Sequence, residues 1–250
     1  MKKFISGMLL ALSAAVLPVS GVLASTGVEL PPVKANIHDK QSLQRGAKYF
    51  VNYCMGCHSL GSSRYNRVAQ DLGLSPEQVK DNFIFTRDDD GELQKPGDLM
   101  TNAMRKKYGE AVFGVAPPDL SLSGRLRGET WIYHYLKSFY ADRTRPFGVN
   151  NTVFPNAGMP HVLWELQGLQ RLEVKEEHGH KTETLVLDQP GKLSPAKYDE
   201  VVMDLTNFLV YVGEPSKLSR PTIGIFVLIF LVIFTAVAYL LKKEYWKDVH

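Results

Sequence analysis

Tyr53–Ser59, YCMGCHS, holds both cysteines of the 250-residue chain, three positions apart, with His58 directly after the second. Three chemistries compete for that pattern. A thioredoxin-like redox pair needs its cysteines to follow a strand within a βαβ unit. Here the preceding Ser42–Tyr53, SLQRGAKYFVNY, sets Leu43, Ala47, Phe50 and Val51 near one helical face behind a capping Ser42, and no parallel-sheet pattern follows. A zinc site needs about four ligands. His58 and a further histidine, His178 or His180, would have to complete it, and those two fall on a predicted exposed hairpin. The third chemistry is c-type haem attachment. Cys54 and Cys57 then bond the two haem vinyl groups as thioethers from one helical turn, and His58 supplies the proximal imidazole.

The two ends of the chain favour the third reading. Lys2 and Lys3 precede the apolar run FISGMLLALSAAVLPVSGVLA, broken by Pro18 and Gly21 and closing on small residues, which predicts a bacterial export signal cleaved after Ala24. At the other end Thr222–Leu241, TIGIFVLIFLVIFTAVAYLL, carries no charge and is long enough to cross a bilayer. Lys242, Lys243 and Lys247 follow it, with Tyr239, Tyr245 and Trp246 at interface positions, so the C-terminus is expected in the cytoplasm. The expected organisation is a signal at 1–24, an exported haem domain at 25–220, a span at 221–241 and a cytoplasmic tail at 242–250. Five of the 29 basic and two of the 26 acidic residues lie in the terminal segments, which leaves the exported domain formally neutral and gives it no affinity for nucleic acid.

Within that domain helices are expected from Ser75-Pro76, over Asp98–Tyr108, over Gly128–Tyr140 and over Ser194–Val212. Leu169–Leu187 alternates and predicts a hairpin turning at His178–His180. Thr144–His161 holds three prolines and reads as a long irregular loop, a form uncommon unless it wraps something. The expected fold is mostly α, with long loops and a small β-hairpin, plus one C-terminal transmembrane helix.

An electron-transfer haem needs a sixth ligand on a loop that closes over its other face. Met55 lies inside the attachment motif, Met100, Met104 and Met203 fall on predicted helices, and Met159 sits in the irregular segment beside Pro160. Met159 is the candidate, with His161 as the rival that would give a lower-potential centre.

These residues carry a resemblance. LQRGAKYFVNYCMGCHS, APPDLSLSGRLRG at Ala116–Gly128, NAGMPHVLW at Asn156–Trp164 and VVMDLTNFLVYVGEP at Val201–Pro215, with the single terminal span, resemble the cytochrome c1 family, the haem subunits of the cytochrome bc1 complex. The Pro-Pro-Asp-Leu-Ser element is the most specific part. The resemblance implies a class I cytochrome c-like domain with one covalently bound haem c. His58 and Met159 become its axial ligands, Pro117 and Pro118 line the pocket, Arg125 and Arg127 meet the propionates, and Trp131 is a pocket aromatic. It also implies cytochrome b, a Rieske iron–sulfur protein and a cytochrome c as partners, a dimer of complexes, and contact with lipid in the bacterial inner membrane. The sequence departs from mitochondrial members in lacking a strongly acidic docking surface, and His161 stands where many relatives have proline. Two other readings are a free-standing membrane-anchored cytochrome shuttle and a haem enzyme with an open sixth position.

Overall fold

The computed structural model describes residues 30–88, 90–177 and 180–248, so the predicted export signal lies outside the described residues. Asp39 opens α1 (Lys40–Tyr49) by accepting from the Ser42 amide, at 3.0 Å. The helix widens into a π-turn at Phe50–Cys54 and leads into the cysteine motif. There follow β1 (Leu60–Arg64), α2 (Tyr65–Leu72), α3 (Pro76–Phe83), β2 (Leu99–Met100), α4 (Lys106–Phe113), α5 (Ser123–Lys137), β3 (Phe139–Ala141), β4 (Val149–Asn151), α6 (Trp164–Gln167), β5 (Gly168–Glu177) and β6 (His180–Pro190). The chain ends in α7 (Pro195–Gly213), a 3₁₀ turn at Pro215–Leu218 and α8 (Arg220–Tyr245).

Helix α7 is the spine of the described domain. Its buried positions Val201, Val202, Leu205, Phe208, Leu209 and Val212 recur at helical spacing and meet α1 and α5. Small residues let both partners come close. A Cβ on Gly46 would run into the Asp204 carbonyl and stand 2.7 Å from Phe208 Cβ, and one on Gly124 would stand 2.6 Å from Val210 Cα. The α1–α7 contact is fixed by a buried polar knot. Asp204 accepts from Ser42 Oγ at 2.6 Å and from Arg45 Nε and Nη2 at 2.6 and 2.8 Å, while Asn207 Nδ2 donates to Ser42 Oγ at 2.8 Å. Gly46→Ala must push the two helices apart at this knot. Overpacking of this kind costs about 3 kcal/mol, and the expected loss is read as a lower denaturation midpoint of the holoprotein; an unchanged midpoint would show that the helices do not meet there.

Local structure departs from the sequence reading at three places. The helix expected over Asp98–Tyr108 is a two-residue strand and a turn, and helix begins only at Lys106. Tertiary pairing overrides propensity: Leu60 stands opposite a fully buried Met100, and Asn102 Oδ1 turns back to the Met104 amide at 3.2 Å. The helix expected over Gly128–Tyr140 starts at Ser123, ends at Lys137 and is interrupted at Gly128, whose φ of 78° suits glycine alone. The segment from Thr144 to His161 contributes β4 to a hairpin with β3, in register Phe139↔Asn151. Strands β5 and β6 pair antiparallel from Gly168↔Pro190 to Glu177↔His180. Helix α8 has 26 residues, none of them buried, and is the described helix long and apolar enough to cross a membrane. At about 1.5 Å per residue it reaches about 39 Å.

Candidate functional site

The π-turn does the first work of site construction. Met55 N donates to Phe50 O at 2.9 Å, and the amides of Cys57 and His58 both donate to Cys54 O, at 3.0 and 2.8 Å. This tight winding brings Cys54, Cys57 and His58 to one wall of a cleft enclosing about 500 Å³, part of it open to solvent. Wide turns of this kind recur at functional sites because the extra residue re-aims the side chains that follow. Neither cysteine is in a disulfide. Burial beside Cys57 pushes the Cys54 thiol up to about 12, and burial raises that of Cys57. Each is therefore a neutral thiol in an apolar wall.

His58 is almost fully buried and is oriented from across the cleft. Its Nδ1 donates to the Pro118 carbonyl at 2.7 Å, an oxygen that can only accept, so the proton sits on Nδ1 and Nε2 keeps its lone pair. Burial holds the imidazole below its ordinary pKa, against the opposing pull of the Pro118 hydrogen bond and of the Asp119 charge. A neutral ring with a fixed tautomer is the form that ligates a metal. Pro117 and Pro118 line the cleft beside it.

Met159 lines the same cleft with Gly158, Pro160 and Val162. The Tyr135 hydroxyl on α5 donates to Met159 Sδ at 3.4 Å, which points the thioether by holding one sulfur lone pair. His161 is elsewhere. Its ring stacks on Phe139, with centroids 5.0 Å apart and planes at 3°, and it is not among the residues that line the cleft.

The remaining predicted residues form a cluster behind Met159. Trp131 stacks on Tyr135 at 4.7 Å, and the Arg127 guanidinium lies 4.8 Å above the Trp131 ring. Trp131 Nε1 is buried without a hydrogen-bond partner among the described residues, as is Arg145 Nε. The buried indole N–H with nothing to donate to fits a group that brings its own anionic acceptor. Arg125 and Arg127 are exposed, and neither they nor Trp131 are among the residues that line the cleft.

The donor set fits a c-type haem: two thiols one turn apart, a neutral imidazole with a free Nε2, a thioether and an apolar cleft. Among the described residues no group of three or more His, Cys, Asp and Glu could hold a metal; His178, which the zinc reading offers as a ligand, lies outside them. Sequence reasoning missed Tyr53, Phe113, Val115 and Val162 in the lining and Tyr135 at the sulfur. Tyr135 lies one helical turn after Trp131, and that spacing was the available signal.

Comparison with known proteins agrees with this site. The model of the Cytochrome C1 family matches residues 33–249. A cytochrome c1 of Allochromatium vinosum is 51% identical over 92% of this chain and 94% of its own length. A protein of Nitrosomonas europaea named ammonia monooxygenase gamma subunit is 46% identical over 94% of this chain and 96% of its own length. A cytochrome c1 of Rhodospirillum rubrum is 28% identical, covering 85% and 83%.

Proposed function

The chain belongs to the cytochrome c1 family, and from that membership we propose that it is the haem c electron-transfer subunit of a quinol-oxidising cytochrome bc1 complex. The observation that supports it best is the single apolar cleft that takes Cys54, Cys57, His58 and Met159 together, with Nδ1 of His58 spoken for by Pro118. A covalently held haem c supplies one-electron chemistry there, in a class I cytochrome c-like domain. Cys54 and Cys57 would hold it as thioethers, His58 and Met159 would ligate its iron, and Pro117 and Pro118 would exclude water from the imidazole side. Arg127, Trp131 and, from the surface, Arg125 take the propionates; Arg can do so bidentately.

On this reading the chain receives one electron at a time from a Rieske iron–sulfur protein and delivers it to a cytochrome c, and it catalyses nothing alone. The export signal at 1–24 places residues 25–220 in the periplasm, the span at 221–241 anchors them beside cytochrome b in a dimer of complexes, and 242–250 are cytoplasmic.

Purification in mild detergent tests the complex. A reduced-minus-oxidised spectrum in which b- and c-type haems travel together is the expected result, whereas a chain that runs alone with c-type haem only is a free shuttle. Carbon monoxide separates off the enzyme reading: the reduced protein is expected not to bind it, because Met159 fills the sixth position, and ready binding would mean an open site.

A further inference from the structure

We propose that the mouth of the cleft docks an electron carrier whose own redox edge is ringed by carboxylates. The proposal rests on the haem reading above and concerns the surface around it. Two flanks share walls with the cleft. On one side Arg105 and Lys106 line a groove together with Cys57 and Pro117, both cleft residues, and Lys107 follows them in exposed positions. On the other side Arg145 lines a groove together with Phe113, Val115 and Gly158, again cleft residues, and Arg143 is exposed two positions earlier. Among the described residues none of these five cations makes an ion pair.

Three of the four nearby carboxylates are engaged by local donors at the surface. Asp119 accepts from the amides of Gly61 and Ser121 at 2.7 and 2.8 Å. Asp142 accepts from the Thr144 hydroxyl and amide and from Asn150 Nδ2, which hold it below the usual carboxylate range. Glu165 is paired with Lys192. Glu110 is the exposed acid left on α4. Apart from Glu110, the charges at the mouth left free to meet a partner are the cations, on a domain that is neutral as a whole.

Placement of the cations adds a second argument. Helix α4 begins RKK, with Arg105 as a cap that makes no side-chain hydrogen bond and no acidic residue in the first turn. Cations at a helix N-terminus oppose the helix dipole, so this arrangement weakens the element that carries it and is not explained by local stability. Val112, Val115 and Phe147 are exposed in the groove that Arg145 lines, and Val115 also lines the cleft. An apolar centre with a rim of one sign is the form of a surface that meets a partner of opposite sign transiently. Transfer there moves one electron from the reduced chain to the oxidised carrier, and no bond or proton moves with it.

The test uses full-length holoprotein in detergent and two forms of one carrier: a basic cytochrome c, and the same protein with its lysines succinylated to carboxylates. Stopped-flow oxidation of the reduced chain should be faster with the succinylated carrier at low salt and should slow about tenfold as salt is raised. Lys106→Glu/Lys107→Glu should remove that preference while the c-type spectrum stays unchanged. Faster transfer to the basic carrier, salt-independent transfer to both, or a variant effect confined to anionic bilayers, which would make the patch a lipid contact, each overturns the proposal. Loss of the c-type spectrum in the unmodified chain would instead sink the haem reading, so the two failures are distinguishable.

Discussion

Cys57→Ala is expected to lower the yield of haem-bearing protein at least tenfold, read as haem staining on a denaturing gel against total chain. The cause is the state of the cleft without its group. Its walls are Tyr53, Phe113, Val115, Val162 and prolines, and they enclose about 500 Å³. The part of that space comparable to a closed cavity is about 70 Å³, and at about 24 cal/mol per Å³ leaving it unfilled costs about 2 kcal/mol. That is a sizeable fraction of the whole stability of an ordinary domain, about 5–15 kcal/mol. An opening to solvent reduces the cost, yet a chain that loses one of its two attachment points spends longer in this poorly filled state and is exposed to proteolysis. Cys57 is the more accessible of the two thiols, so its removal leaves Cys54 and His58 in place and isolates attachment from packing. Normal staining would contradict the thioether assignment.

The parts of this site that could be read in the sequence are those built from neighbours. Cys54, Cys57 and His58 lie within one turn, so spacing alone aligns them, and the uncharged run from Thr222 reports its own length. Met159 stood out because a loop rich in proline and asparagine is a poor place for a core methionine. What could not be read depends on distant segments meeting. The partner of His58 is a carbonyl 60 positions away, and the partner of Met159 is a hydroxyl 24 positions back on a different element. No local pattern encodes either bond. The helix expected at Asp98 failed for the same reason, since Met100 is drawn into pairing with Leu60 by burial that a propensity cannot see. By propensity alone, the glycine in α1 weakens a helix. Its value appears only once Asp204 and Phe208 arrive against it from the far end of the chain.

Met159→Leu should leave the haem covalently attached and lower its reduction potential by several tenths of a volt, a fair part of the ~0.8 V that axial ligation spans. The two effects separate because they depend on opposite walls of the cleft. Leucine conserves volume, so packing with Gly158, Pro160 and Val162 survives. Leucine offers no lone pair, so the thioether's preference for the ferrous state is lost. The same change deprives the Tyr135 hydroxyl of its acceptor, and burial already pushes that phenol up to about 12. A buried donor left unpaired costs about 1–3 kcal/mol, so the variant should also unfold earlier, and adding Tyr135→Phe should recover most of that stability without restoring the potential. Recovery of stability but not potential would assign the thioether to the redox centre and the hydroxyl to holding it. A potential unchanged in the single variant would remove Met159 from the ligand set and leave the buried His161, stacked on Phe139, as the residue to test next.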